Sequence, residues 1–168
     1  PSSYPLSNLY SMADLSHLDD SDQPRMVDVS AKTETIRVAT ATCIVTLGRE
    51  LLSQMNDGEL RNKKGPVLQT AILAGITGTK KTSDLIPLCH PLPLDSAKIE
   101  ITPHNDESLL ITATAKTTSR TGVEMEALTG ASVAALTLYD MCKAVNPAII
   151  VSDLKLAKKT GGKSDYKA

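Results

Sequence analysis

EMEALTGASVAALTLYDMCKAV, running from Glu124 to Val145, decides the fold. It holds no proline and a single glycine, Gly130, and its Ala, Leu, Met and Val recur at helical spacing. That pattern predicts a long helix with an apolar stripe. Asn146-Pro147 ends it, because proline disfavours α geometry in the residue before it. The stripe needs a partner surface, and the flanking sequence offers a sheet. TIRVATATCIVTL, Thr35 to Leu47, is β-branched and partly alternating, which suits a pleated, half-buried surface. Ala97 to Thr102 and Leu109 to Thr117 read as two more strands joined through HNDES, and Ile149 to Ala157 as a last strand.

Between the first strand and the hairpin, Leu51, Leu52 and Met55 fall at helical spacing within Arg49 to Met55, and Asn56-Asp57-Gly58 breaks the run. A polar loop, Glu59 to Gly65, carries Arg61, Lys63 and Lys64. Pro66 then suits a first helical turn, where its missing N–H does no harm, and VLQTAILAGI continues as helix. Pro87, Pro91 and Pro93 mark Thr79 to Pro93 as loop. With the two early helical pieces merged, the order is β-α-β-β-α-β. This predicts an α+β, ferredoxin-like antiparallel sheet with helices packed on one face. Lys158 to Ala168 reads as a basic, glycine-containing tail.

Composition narrows the function classes. The 168 residues, 41% hydrophobic, suffice for one core, and the lack of Phe and Trp makes that core aliphatic. Eighteen basic and nineteen acidic side chains leave a net charge of -1, so no sequence-wide field draws nucleic acid or anionic lipid. Any anion must be held by a local cluster. No apolar run approaches the roughly 20 residues that span a bilayer, which predicts a soluble chain. Cys43, Cys89 and Cys142 are odd in number and widely spaced, as expected in a reducing compartment. Pro1 to Pro24 is rich in Ser, Asp and Pro. We therefore expect a disordered lead or linker over 1–25 and a folded domain over 26–168.

Several chemistries are weighed on the residues. Cys89-His90 has no second pair at zinc-ligand spacing, and no metal site is expected. AKKTGGKS, Ala157 to Ser164, resembles a phosphate-binding loop, but Ala157 stands where the first glycine is required and no helix follows. What remains is a set of lysines around Gly161-Gly162 that either contacts phosphate or is a solvated tail. Asp140 and Lys143, three apart, form either a weak surface ion pair or a carboxylate tuning an amine. Glu126 and Asp140 lie within about 40° on the helix surface but roughly 21 Å apart along it. One small ligand in one chain cannot use both, whereas two such helices antiparallel about a twofold axis bring them together. Gly130, Ala131, Ala134 and Ala135 suit that close approach, or packing on the chain's own sheet.

Four separated blocks make the reading specific: MVDVSAKTET (Met26 to Thr35), DLIPLCHPL (Asp84 to Leu92), TGVEMEALTGASVAALTLYDMCKAV (Thr121 to Val145) and KTGGKS (Lys159 to Ser164). In this order they resemble the MoaC family from about Met26 to the end. The resemblance implies cyclic pyranopterin monophosphate synthase activity, a lyase step of molybdenum cofactor biosynthesis. It turns 3′,8-cyclo-7,8-dihydroguanosine triphosphate, made by a radical-SAM partner, into cyclic pyranopterin monophosphate and pyrophosphate. It also implies a homohexamer of dimers with active sites at subunit interfaces. The family's catalytic residues match Asp140, Lys64 and Lys143. Its substrate-binding residues match Leu88, Cys89, His90, Glu124, Met125, Glu126 and Lys159, with Lys163 in the tail and Arg37 near the site.

Such chemistry needs several proton transfers and cations for a pyrophosphate leaving group. Clustering of Lys64, Lys143 and Lys159 would lower their pKa, with Asp140 offsetting the effect on the nearest. Two departures bear on this. Pro66 stands where an acidic residue is expected after Lys64-Gly65, and Asp165 follows Ser164 without an intervening glycine. No cofactor is required by the sequence; Mg2+ would enter on the triphosphate or pyrophosphate oxygens. The resemblance implies the cytoplasm for a bacterial chain and the mitochondrial matrix for a eukaryotic one. The alternative is a nucleotide-sensing or phosphate-binding regulatory module, which has no need of the proton-transfer set.

Overall fold

The computed structural model describes residues 23–168; the expected disordered lead falls mainly on residues 1–22, outside the described residues. The first strand, β1 (Thr35–Thr46), is followed by the short helix α1 (Arg49–Leu52), and by a two-stranded hairpin, β2 (Arg61–Asn62) and β3 (Gly65–Pro66). Next come helix α2 (Val67–Lys80), one turn α3 (Thr82–Leu85) and strands β4 (Leu94–Pro103) and β5 (Ser108–Ser119). Helix α4 (Glu124–Cys142), strand β6 (Ile150–Thr160) and the short β7 (Tyr166–Lys167) complete the chain.

The sheet order is β4-β5-β1-β6-β7, and every pairing is antiparallel. Taking the four long strands alone, the order is that of the expected ferredoxin-like arrangement, with α2 and α4 on one face. Ala39, Ala41, Cys43 and Val45 alternate inward on β1, against Ala115, Ala113, Ile111 and Leu109 of β5. Leu138, Ala131, Ala134 and Ala135 of α4 close this core from above, and all are fully buried. It is aliphatic throughout, as the composition requires.

Small residues set the spacing of the helix layer. A Cβ on Gly75 would lie 2.9 Å from Ile99 Cγ1 and 3.0 Å from the Gly130 carbonyl oxygen, so α2 and α4 touch backbone to backbone there. Gly130, Ala131, Ala134 and Ala135 are therefore spent inside the chain, and the outward residue of α4 at mid-length is Leu136, 63% exposed. This resolves the two uses that the sequence left open.

Several boundaries differ from the sequence reading. Helix α2 runs past Ile76, where the sequence reading ends it, to Lys80, and Gly75 and Gly78 are demanded by packing against α4 rather than by a turn. Pro66 precedes the helix as its cap residue instead of occupying the first turn. The expected polar loop contains the β2–β3 hairpin. Strand β6 continues through Lys158, Lys159 and Thr160, which pair with Thr40, Ala39 and Val38. The tail is partly sheet. Gly161, at φ +85°, turns the chain where a Cβ would collide with the Ile36 carbonyl, and its N–H donates to Asp165 Oδ1 at 3.1 Å. Tyr166 and Lys167 then return along Lys159 and Lys158. Asp165 without its preceding glycine thus closes a tight hairpin.

Candidate active site

The predicted residues gather at the two ends of α4. At its C-terminal end Asp140 receives two ammonium groups: Lys143 Nζ lies 2.7 Å from Oδ1 and Lys64 Nζ 3.0 Å from Oδ2. Lys143 arrives through helical spacing alone. Lys64 arrives from 76 residues away, on the β2–β3 hairpin, and also donates to the Asp140 backbone oxygen at 3.1 Å. The Lys143 and Lys64 ammonium groups hold the Asp140 carboxyl below its ordinary pKa, and Asp140 in turn raises that of Lys143. Lys143 is therefore held as a cation. Asp140 is expected to offset the lowering for the nearest amine, and at Lys143 its effect prevails, because the carboxylate sits between the two amines and Lys159 of the same chain lies elsewhere.

At the N-terminal end, a cavity of about 250 Å³ is walled by Leu88, Cys89, His90, Glu124, Met125 and Glu126. The proline-rich segment delivers the first three and the first turn of α4 the rest. Val27, Val29 and Lys32 form a further wall. That segment is pinned by His90, whose Nε2 lies 2.7 Å from the Val27 carbonyl oxygen and must carry the proton to bond it. Glu126 is 4% exposed, and burial pushes its carboxyl pKa up, helped by Glu124. Burial also raises the Cys89 thiol, with Glu126 adding to the effect. The cavity thus offers a desolvated carboxyl group, an imidazole and apolar walls.

A small recess next to this cavity is lined by Arg37, Glu124, Lys159 and Gly162. The register explains why Lys159 rather than Lys158 reaches it: Lys159 pairs with inward-facing Ala39, so it projects to the helix face. Its Nζ lies 3.2 Å from Glu124 Oε1. Arg37 Nε donates to the Ser119 carbonyl at 3.1 Å, leaving the rest of the guanidinium beside Gly162. Lys163 is exposed and lines neither recess.

The MoaC family profile matches residues 26–162. The chain belongs to the MoaC family. Among its relatives, the cyclic pyranopterin monophosphate synthases of Peptoclostridium acidaminophilum and Dinoroseobacter shibae are 51% and 53% identical, each match covering 91% of this chain and 96% of the relative. A molybdenum cofactor biosynthesis bifunctional protein of Synechocystis is 48% identical over 89% of this chain, which spans 44% of that protein.

Two groups escaped the sequence reading. Lys32 and the valines beside it lie within the MVDVSAKTET block, whose composition gave no sign of a pocket wall. Asn62 bonds the end of α4 from the hairpin, and only its nearness to Lys64 in sequence hinted at this. Among the described residues no three or more His, Cys, Asp or Glu side chains converge as metal ligands, and no helix is long and apolar enough to cross a membrane.

Proposed function

We propose that this chain is a cyclic pyranopterin monophosphate synthase, converting 3′,8-cyclo-7,8-dihydroguanosine triphosphate to cyclic pyranopterin monophosphate and pyrophosphate. The observation that carries this reading is Asp140 bridging Lys64 and Lys143 at one helix end. A surface ion pair needs one lysine; a carboxylate fixing two ammonium groups makes a proton-transfer and charge-stabilising centre. Lys143, held protonated, serves as acid or as a fixed positive charge. In the closing step a sugar hydroxyl attacks the α-phosphorus, the bond to the β-phosphate oxygen breaks, and pyrophosphate leaves with the electron pair while the hydroxyl's proton passes to it or to water. Cations stabilise that leaving group, and Arg37 and Lys159 lie beside the cavity at the height of the first helical turn. The cavity walls of Glu126 and His90 suit a purine-derived ring that offers N–H donors and acceptors.

The Asp140 centre and the cavity lie on one helix roughly 24 Å apart, from Glu124 to Asp140, so one substrate cannot reach both within a chain. A twofold pair of chains with their α4 helices antiparallel would supply both halves to each site. Exposed Leu73 and Leu136, one on each long helix, support such a face. On this reading the enzyme is a homo-oligomer, a hexamer built from dimers, fed by a radical-SAM enzyme. Magnesium would arrive on the substrate's phosphates and carries no step here. The test is incubation with the cyclised dihydro-GTP. Formation of cyclic pyranopterin monophosphate with one pyrophosphate per turnover is expected; saturable binding with unchanged substrate would replace the enzyme reading with a sensor.

A further inference from the structure

The last four carbonyls of a helix have no partner within it. In α4 the Tyr139 oxygen takes the Lys143 N–H at 2.8 Å, and the Cys142 oxygen takes those of Val145 and Asn146. The remaining two are completed from the β2–β3 hairpin. Asn62 Nδ2 donates to the Met141 oxygen at 2.7 Å and Lys64 Nζ to the Asp140 oxygen at 3.1 Å. Asn62 is bonded at both ends of its amide, because its Oδ1 accepts the Lys64 N–H at 2.8 Å. Among the described residues, hydrogen bonds between this hairpin and α4 come from these two side chains only.

The two are not equivalent. Lys64 is half exposed and carries its charge on a four-carbon stem, so its ion pair is weakly held in water. Asn62 is half-buried, has a short side chain and fixes the turn that presents Lys64. The other anchor, Glu59, bonds the N–H groups of Leu68 and Gln69 at the start of α2, which secures the hairpin's far side but not its contact with α4. We infer that Asn62 is the positioning residue that docks the hairpin on the end of α4 and thereby fixes the Lys64 ammonium on Asp140. Its kinetic consequence rests on the proposed role of Lys64; its geometric consequence does not.

The experiment uses the full chain with 13C-carboxyl-labelled aspartate, the Asp140 signal being assigned by its loss in Asp140→Asn. Titration of Asp140 is followed in the parent, Asn62→Ala, Asn62→Asp, Lys64→Ala and the Asn62→Ala/Lys64→Ala pair, beside kcat and KM. Asn62→Ala should raise the Asp140 pKa most of the way to its value in Lys64→Ala, and add nothing in the Lys64→Ala background. Its kcat should fall on the order of 10-fold or more, with KM held within about 3-fold, as expected for a displaced group rather than lost binding. Asn62→Asp keeps the acceptor for the Lys64 N–H and loses the donor to Met141, so it should behave like Asn62→Ala. An Asp140 titration unchanged in Asn62→Ala but moved in Lys64→Ala would overturn the proposal, as would parental behaviour of Asn62→Asp. If both single variants move Asp140 while Lys64→Ala still turns over, the docking stands and the catalytic reading of Lys64 falls.

Discussion

Replacing Glu126 by Gln should make the protein more stable at pH 8 and leave it nearly unchanged at pH 4. Glu126 sits in the first turn of α4, where the helix N-terminus favours a carboxylate, yet burial dominates and raises its pKa. A carboxyl group whose folded pKa exceeds its unfolded value binds more protons when folded. Its contribution is most favourable below the unfolded pKa and is lost as pH rises through the folded pKa. Within that window the loss approaches about 1.4 kcal/mol per pH unit for one group. Gln keeps the shape, carries no charge and removes the slope. Because Asp28 and Asp140 have lowered pKa values and contribute slopes of opposite sign at lower pH, the quantity to read is the difference between parent and variant. Urea midpoints from pH 4 to pH 8, at one protomer concentration and with unchanged m-values, supply it. A difference independent of pH, or a variant less stable at pH 8, would refute the argument that Glu126 is held desolvated. Turnover should fall in the same variant, the trade expected of a group kept buried for its chemistry.

Asp140→Asn removes the charge that raises the Lys143 pKa, so that pKa should fall, the pH–rate profile should move to lower pH, and kcat should drop on the order of 10²-fold; a parental profile would return Asp140 to an ion-pair role. Gly75→Ala sets a helix-propensity gain of about 0.5–1 kcal/mol against an overpacking cost of about 1–3 kcal/mol at the Gly130 backbone. Denaturant titration should show a net loss, and a gain would mean that the helices separate easily.

The architecture was legible because its signals are local. The apolar stripe of α4 and the alternation of β1 each reveal an element, and their order leaves few topologies. What was not legible depends on residues distant in sequence. Lys158 to Thr160 are charged and polar and became strand only because β1 offered an edge. The sequence pattern carries α2 only to Ile76, and Gly78 belongs to it because Val133 of α4 packs where a side chain would stand. At the site, Asp140 and Lys143 were visible by spacing. The resemblance named Lys64, but nothing in its own neighbourhood showed that it would reach Asp140. The pairing of Asn62 with Met141 is hidden for the same reason, since it joins a hairpin turn to a helix end 79 residues away.

Lys64, Asp140 and Lys143 meet within one chain, so Lys64→Ala and Asp140→Ala chains should not rescue each other. The cavity end of α4 is different, and co-expression of Lys64→Ala chains with Lys159→Ala chains tests the shared site directly. Each variant alone should be inactive. In a mixed dimer one site combines both lesions and the other combines none, so random assembly should restore about a quarter of parental pyrophosphate release from the cyclised dihydro-GTP. Mixed oligomers as inactive as either variant alone would contradict a site built from the two ends of α4 in different chains.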